Sequence, residues 1–460
     1  MGYNFVTADR DQGFLLPVDV REWLPEDHLA WCLIDVVAQL DLGGFRAVYR
    51  ADGQGRPALD PAVMVALILY CYCTGVRSSR AVERACQADV ACRVITGNRV
   101  IDHATIARFR ARHRQRLKGL LAQSLAVCAQ AGMVKVGLVA LDGTKVAASA
   151  AGSANRTASQ LDDLITAAGA EVEQMLAQAA AADQAEDGMF GDGRRGDELP
   201  GRLARRPERL TRLQAAKARL DEQEAARRAE QQAKVAAYQQ AVSARGGRRP
   251  RGPAPGSAPP KRNKNGGQDK PPRANTTDPD SRIMKSKDGY LQAYNAQVLA
   301  AGGQLVIAAG AFTDPVDTAL LHPMLERGHA TLTAARIKDP IRAALADAGY
   351  ASAGNFAAPC EPILLIAVGK DAQQAGRDSR PMKIRKGHER MAARLASPAG
   401  HSLYRRRSPM VEPVFAQMLH RGGRRIHYRG LDAADAEIHL WATAHNLLKY
   451  HTHAKPRDRS

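Results

Sequence analysis

Residues Val136–Asp142 have the sequence VGLVALD, which is the clearest strand signal of this chain. It is a short and nearly continuous apolar run that ends in an acid. This pattern is typical of a central strand that is buried on both faces of a sheet. The segment therefore predicts the middle of an α/β domain, with Asp142 at the end of its first strand.

Further β signals lie far downstream of this strand. The segments Tyr290–Ala300 (YLQAYNAQVLA) and Gln304–Ala309 (QLVIAA) flank Gly302-Gly303, and this arrangement predicts an antiparallel hairpin. Two more apolar strands are predicted from the sequence, one at Ala344–Ala346 just before Asp347 and one at Ile363–Val368.

Helices alternate with the later strands. One helix is predicted to start at Thr313-Asp314-Pro315, and another covers Val411–Leu419, whose apolar residues share one face. If the long segment after the first strand is set aside, the order is three strands, then helix, strand, helix, strand and helix. This is the order of an RNase H-like α/β domain, so we expect a mixed-sheet catalytic domain formed by residues 131–158 and 276–460.

Residues 159–275 form a long insertion in this domain. The first part, Ser159–Gln240, is rich in Ala, Gln, Glu and Arg, which predicts two long helices or a short coiled coil. The second part, Ala241–Asn275, has nine Lys or Arg residues against one Asp, with seven prolines and no Leu, Ile, Met or aromatic residue. Such a segment buries too little apolar surface to fold, so we expect a disordered basic linker. It either contacts phosphate loosely or acts as a spacer.

Residues 1–130 are predicted to be a helical DNA-binding domain. His28–Asp41 has apolar residues at helical spacing, and Ala62–Cys73, which follows Pro61, is typical of a buried core helix. Short helices followed by the basic helix Asp102–Arg116 resemble a helix-turn-helix DNA reader. Helical spacing spreads these arginines around the helix, so an ordinary solvated surface is the alternative. The candidate DNA contacts are Arg77, Arg80, Arg108, Arg110, Arg112 and Arg114.

Composition narrows the class of protein. The 460 residues carry a formal net charge of +19, which favours a polyanion as partner, although such charge also serves solubility. Seven cysteines form no CxxC pair, and this favours reduced thiols in the cytoplasm over a disulfide framework. The most apolar stretch, Ala62–Cys73, is too short to cross a bilayer, and the first residues do not form a signal peptide. No Walker pattern supports a role for a nucleoside triphosphate.

Three acids stand at related positions in the predicted domain. Asp142 ends the first strand, Asp347 ends the fourth, and Glu412 starts the late helix. Phosphodiester cleavage requires charge neutralisation and activation of a water or 3′-hydroxyl, and two Mg²⁺ ions about 4 Å apart supply both. Carboxylates are the oxygen ligands that Mg²⁺ prefers, so we expect Asp142 to bridge the ions and the other two acids to complete one each. Taken singly, each aspartate is equally consistent with a strand-end cap or a turn.

Several longer segments carry a family resemblance. Together they resemble the bacterial insertion-sequence transposases of the DDE superfamily that have an InsH-type N-terminal domain. The N-terminal segments are Arg56–Gly97 and DHATIARFR at Asp102–Arg110, and the later ones are ALDGTKV around Asp142, Thr277–Gln297, LADAGY around Asp347, YRRRSPMVEPVFAQ at Tyr404–Gln417 and AHNLLKY at Ala444–Tyr450.

The resemblance implies that Asp142, Asp347 and Glu412 are the DDE triad. It further implies that Mg²⁺, or Mn²⁺ in its place, supports cleavage at the element's ends and strand transfer. The expected partner is double-stranded DNA, both the terminal inverted repeats and the target, bound by a homo-oligomer on paired ends in the cytoplasm at the nucleoid. A nuclease that cuts without joining and an inactive DNA-binding relic remain the alternatives.

The sequence departs from one signature of the related transposases, Tyr-x2-Arg-x3-Glu-x6-Lys. Here Tyr404 and Arg407 are followed by four residues before Glu412, and Leu419 stands at the Lys position. We expect Tyr404, Arg406 and Arg407 to bind phosphate beside the acid, since a guanidinium suits that task, although a generic basic surface is equally consistent. Arg405 is a further candidate for the Arg role, and Arg421 and Arg424 are candidates for the Lys role.

The stretch DPDSR at Asp278–Arg282 adds two acids just before the hairpin. These acids either approach the metal ions or the flanking DNA, or they form a structural turn. Asp-Pro and Asp-Ser are ordinary turn formers, so a turn is the favoured interpretation.

Overall fold

The computed structural model describes residues 19–49, 58–190, 201–250, 254–255, 271–286, 289–357, 361–368 and 382–455 of the chain. Within these ranges the chain combines helices with a six-stranded mixed sheet, which confirms the predicted α/β class. No single helix in them is both long and apolar enough to span a membrane; Pro61–Thr74 and Ser79–Ala88 pass that test only as a pair bent by 95°.

Helices fill the described part of the chain before the sheet. Pro61 occupies the first turn of the third helix, where its missing N–H is not needed, and Asp60 caps that helix by accepting from Ala62 N at 2.9 Å. Nearly every residue of this helix is buried, which confirms the predicted core helix. The helices are α1 (Leu29–Gln39), α2 (Gly43–Arg46), α3 (Pro61–Thr74), α4 (Ser79–Ala88), α5 (Val90–Ile95), α6 (His103–Arg112) and α7 (Arg114–Gln130).

The basic helix predicted at Asp102–Arg116 is in fact two helices, α6 and α7. The chain leaves helical geometry at His113, where φ is −105° and ψ is 18°. The His113 ring is fully buried and packs on Phe109 and Phe45, with centroids 4.4 and 5.1 Å away. Burial of this ring fixes the bend, and spacing alone gave no sign of it.

The insertion leaves the sheet through a narrow neck made of β2 (Asn155–Arg156) and β3 (Ala274–Asn275), which pair antiparallel. The two long helices predicted for its first part are present as α8 (Ala158–Phe190) and α9 (Gly201–Ser243). The linker predicted at Ala241–Asn275 lies partly outside the described residues. Its end is not a linker, because Ala274 and Asn275 are buried and Asn275 Nδ2 donates to Ala151 O at 2.8 Å.

The six-stranded sheet has the order β4-β5-β1-β7-β8, and β6 also pairs with β5. The central strand is the predicted one; it runs antiparallel to β5 and parallel to β7. The predicted hairpin is formed by β5 and β6. The strands are β1 (Leu138–Ala147), β4 (Arg282–Ser286), β5 (Gly289–Ala300), β6 (Val306–Phe312), β7 (Ala343–Ala346) and β8 (Ile363–Ile366).

The later helices cover both faces of this sheet. The helix expected from Thr313 starts only at Leu321, after a 3-10 turn at Thr318–Leu320, so Asp314 and Pro315 lie in a loop. The late helix begins at Arg407, so Glu412 lies in its second turn and not at its start. The helices are α10 (Leu321–Ala334), α11 (Ala353–Ala357), α12 (Met382–Ala396), α13 (Pro398–Tyr404), α14 (Arg407–Gly422) and α15 (Leu431–Ala454).

Helix α15 joins the N-terminal helices to the sheet. It packs against α3 and α7 on one side and against β6 on the other. One apolar cluster contains Leu67 of α3, Val298 of β5 and Leu447 of α15, so the N-terminal helices and one sheet face share a core. A second cluster fills the opposite face beneath α10. The division of the chain near residue 130 stays a prediction.

Candidate active site

Two aspartates stand at the same level of the sheet. Asp142 follows Leu141 in β1, and Leu141 pairs with Ala346 of the parallel strand β7. Asp347 follows Ala346 directly. Because the two strands are parallel and in this register, both aspartates lie where the pairing of β1 with β7 ends.

Arg407 connects Glu412 to these aspartates. Its Nη1 donates to Asp142 Oδ2 at 3.4 Å, and its Nη2 donates to Glu412 Oε1 at 3.2 Å. Helix α14 packs on β1, so the first two turns of this helix lie beside the end of the paired strands. The structure therefore brings the three predicted acids to one place, with a guanidinium between two of them.

The charges of this site influence one another. Burial raises the pKa of Asp142 above its ordinary value, and Asp347 adds to that rise, whereas Gly143 N and Arg407 oppose it. Burial alone would lower the pKa of Arg407, but Asp142 and the other carboxylates outweigh it and raise that pKa. Arg407 is thus the neighbouring cation that favours the ionised form of Asp142 in this structure.

A polar network adjoins the site, and its centre, Asp317, was not anticipated from the sequence; Asp317 Oδ2 and Asp347 Oδ1 both lie beside Gly349. Asp317 Oδ1 accepts from Asn295 Nδ2 at 2.7 Å, Gln297 Nε2 at 2.9 Å and Lys145 Nζ at 3.0 Å. A Cβ at Gly143 would collide with Gln297 Nε2, so any other residue there would displace the Gln297 side chain from this network. Asn295 and Gln297 alternate in an otherwise apolar strand, and this was the available signal.

The carboxylates suit a hard cation by their chemistry. Oxygen ligands of this type are those that Mg²⁺ prefers. Among the residues that the structure describes, however, no group of three or more His, Cys, Asp or Glu side chains converges closely enough to hold a metal ion. Arg407 lies between Asp142 and Glu412 and forms an ion pair with each of them. The donor chemistry of the three acids therefore suits Mg²⁺, whereas their positions in this structure do not form a ligand set.

Comparisons with protein families agree with this arrangement. A family described as "Transposase domain (DUF772)" matches residues 18–112, and one described as "Transposase DDE domain" matches residues 370–451. The chain is a DDE transposase of the insertion-sequence type. The resemblance seen in the sequence is thereby confirmed. Searches of curated proteins and of solved structures returned no match.

Several arginines that were predicted to contact DNA lie on the surface of the transposase. Arg80, Arg108, Arg112 and Arg406 are exposed. Arg108 donates to Thr105 Oγ1 at 3.1 Å. Their contact with DNA stays a prediction, as does that of Arg407.

Two of the predicted contacts are wrong, because Arg77 and Arg110 are buried, at 6% and 4% exposure. Arg77 pairs with Glu437 at 3.2 Å and stacks on the Trp441 ring at 4.5 Å. Arg110 donates to the Arg77 carbonyl at 2.6 Å and to the Tyr428 hydroxyl. Both guanidinium groups connect the N-terminal helices to α15 and its preceding loop, so neither reaches solvent.

Two further candidates have partners inside the transposase. Arg114 pairs with Asp432 at 3.1 Å. Tyr404 is half-buried, and its hydroxyl donates to Ala346 O at 3.3 Å, directly before Asp347. Tyr404 therefore packs against the end of β7, where it can position the site.

The DPDSR stretch forms a turn that holds the start of α15. Asp278 Oδ1 accepts from Tyr294 Oη at 2.7 Å and from Gly430 N at 3.1 Å. Asp280 Oδ2 accepts from Leu431 N at 2.9 Å. The favoured structural interpretation of the two acids is therefore confirmed.

Proposed function

We propose that this transposase cleaves phosphodiester bonds at the ends of its element and joins the freed 3′-hydroxyls to target DNA, with Asp142, Asp347 and Glu412 as its catalytic acids. One observation carries the proposal: two aspartates on neighbouring parallel strands lie beside a glutamate that shares an arginine with one of them. The six strands form three antiparallel and two parallel pairings around the acids, and this arrangement resembles an RNase H-like sheet. We infer that the substrate is double-stranded DNA, held by a homo-oligomer on paired ends.

Asp142, Asp347 and Glu412 would hold Mg²⁺ or Mn²⁺. Bound ions of this kind neutralise phosphate oxygens and activate a water or a 3′-hydroxyl. Asp317 accepts from Lys145 of β1 and from Asn295 and Gln297 of β5, so it connects the strand that carries Asp142 to its antiparallel neighbour.

Arg407 can bind either carboxylates or a phosphate. In the DNA-free protein it neutralises Asp142 and Glu412. A guanidinium binds phosphate with the same paired donors that it offers to carboxylates. Arg407 can therefore exchange the acids for a phosphate of the DNA end, and this exchange frees the carboxylate oxygens.

The experiment uses the isosteric variants Asp142→Asn, Asp347→Asn and Glu412→Gln. The substrate is a duplex with the inverted repeats that flank the reading frame. Each variant should lose Mg²⁺-dependent nicking to background while its salt-sensitive binding to the ends stays close to that of the wild type. The exposed controls Glu326→Gln and Asp339→Asn should nick normally.

A variant that retains near-full nicking shows that its acid was assigned wrongly. The products distinguish the reaction classes. Ends that are nicked but never joined to a target plasmid would identify a nuclease and refute strand transfer. Binding without any cleavage by the wild type would identify an inactive relic.

A further inference from the structure

A basic cavity lies at the neck of the insertion, away from the three acids. It has a volume of about 380 Å³ and is formed by α9, the neck strands and the loop before α15. Four guanidinium groups from three distant parts of the sequence line it, together with two threonines: Arg156, Arg209, Arg212, Thr276, Thr277 and Arg429.

Two of these arginines are oriented by carbonyl groups and not by acids. Arg156 Nη1 donates to Ser153 O at 2.7 Å and to Asn155 O at 3.0 Å. Arg429 Nε donates to Ser149 O at 3.2 Å. A carbonyl fixes the direction of a guanidinium but leaves its charge in place, and each arginine has five N–H donors, so others remain for a ligand.

Among the described residues, the acidic partners of the other two arginines are distant ones. Arg209 lies 4.0 Å from Glu171 and Arg212 lies 3.9 Å from Glu208, both at the outer limit of an ion pair. The Glu208 side chain is 70% exposed. Exposed ion pairs of this kind contribute little stabilisation, so these acids neutralise the two arginines weakly. The cavity therefore carries an excess of positive charge. An anion with several oxygens would offset the mutual repulsion of these guanidinium groups.

The position of the cavity indicates which anion it binds. The loop that carries Arg429 is tied to the end of β1, since Ala147 pairs with Arg425 and Ile426 N donates to Ala147 O at 2.8 Å. Ala147 lies five residues beyond Asp142 on the same strand, which is about 17 Å. One DNA strand places a phosphate every ~3.4 Å along its axis, so this span corresponds to about five base pairs.

We propose that the neck cavity binds backbone phosphates of the element's DNA, five or more base pairs from the cleaved bond. The proposal rests on the proposed function, because it takes the cleaved bond to lie at Asp142. The insertion then acts as a clamp that holds the duplex through its charge and without reading its sequence.

The test compares two double variants on the same helix. Arg209→Gln/Arg212→Gln removes two cavity charges, and Arg227→Gln/Arg228→Gln removes two exposed charges of α9 outside the cavity. Duplex binding is measured in EDTA over a series of NaCl concentrations, and thermal unfolding verifies that both variants are folded. The cavity variant should lower the slope of log K against log[NaCl] by about 1 per lost contact and weaken all sequences equally. Equal slopes for the two variants would overturn the proposal.

A modified duplex locates the contact. Neutral methylphosphonate linkages placed about five to eight positions from the cut should weaken binding of the wild type and leave the Arg209→Gln/Arg212→Gln variant unaffected. An equal loss in both proteins would refute contact at the cavity. Stabilisation of the wild type by inorganic phosphate, with no difference in DNA slope between the variants, would reassign the cavity to a small anion. All these binding measurements are made without metal and without cleavage. They therefore test phosphate binding at the cavity even if the triad variants show that the proposed cleavage is wrong.

Discussion

The ion pair between Arg77 and Glu437 should be indispensable for stability, although Arg77 looks like a DNA contact in the sequence. We predict that Arg77→Ala destabilises the transposase strongly, while Arg80→Ala, one helical turn further on, does not. Arg80 is exposed, and surface substitutions of this kind change stability by less than about 0.5 kcal/mol. The two variants therefore separate a structural arginine from a surface one within the same helical region.

The magnitude follows from the surroundings of Glu437. Its side chain is fully buried, and removal of one partner of such a pair costs about 3–5 kcal/mol. In the variant, Glu437 still accepts hydrogen bonds from His427 N at 2.8 Å and from Tyr428 N at 3.3 Å. Because the buried carboxylate keeps these two donors, we expect a cost in the lower part of that range. Loss of the guanidinium stacked on Trp441 adds about 1 kcal/mol. The expected loss is thus about 4 kcal/mol.

Urea unfolding followed by circular dichroism and by tryptophan fluorescence measures this loss. The double variant Arg77→Ala/Glu437→Gln should recover part of it, because the buried charge is then gone. A change below about 0.5 kcal/mol in Arg77→Ala, or no recovery in the double variant, would refute the reasoning.

Three further predictions address other parts of the molecule. Arg407→Ala should raise the affinity of the DNA-free protein for Mn²⁺ about tenfold, because the guanidinium competes with the ion for the same carboxylate oxygens. Electron paramagnetic resonance measures this affinity. An affinity equal to that of the Arg406→Ala variant would show that Arg407 and Mn²⁺ occupy separate sites. Residues 256–270 lie outside the described residues and are rich in lysine and arginine. Their deletion should reduce the slope of log K for DNA binding against log[NaCl]. An unchanged slope would indicate that this segment is a spacer. Burial lowers the pKa of His445 to about 4. Below pH 6.5 the unfolded protein therefore binds a proton at this residue that the folded protein does not bind. The free energy of unfolding should fall by about 3 kcal/mol between pH 6.5 and pH 4 for this reason. The unfolding free energy of His445→Gln should fall less over this range, and an equal fall in both proteins would contradict the assignment.

The site was predictable where its signals are local. Asp142 and Asp347 each follow a short apolar run, and a buried strand that ends in an acid can be recognised from a few residues. Their proximity required only that the two strands be parallel neighbours. Glu412 was selected from its expected place at the start of the late helix, and the family resemblance then implied its role in the triad, since an acid in an amphipathic helix has no distinguishing local pattern.

The errors concern residues whose partners are remote in the sequence. Arg77 contacts Glu437 across 360 positions, and Arg110 contacts Tyr428 across 318. No periodicity in the arginine-rich helices distinguishes these two from their exposed neighbours. Asp317 was not predicted for the same reason, because its hydrogen-bond donors lie on β1 and β5, which are distant from it or separate from its loop in the sequence.

The shared core around α15 has a consequence for how the polypeptide matures. The ribosome makes α15 about 300 residues after α7 and still later after α3, yet Leu440, Trp441 and Leu447 of α15 share an apolar core with those earlier helices. Those earlier helices therefore stay incompletely packed until α15 has been made. A copy that terminated before α15 would leave their apolar surface exposed to solvent.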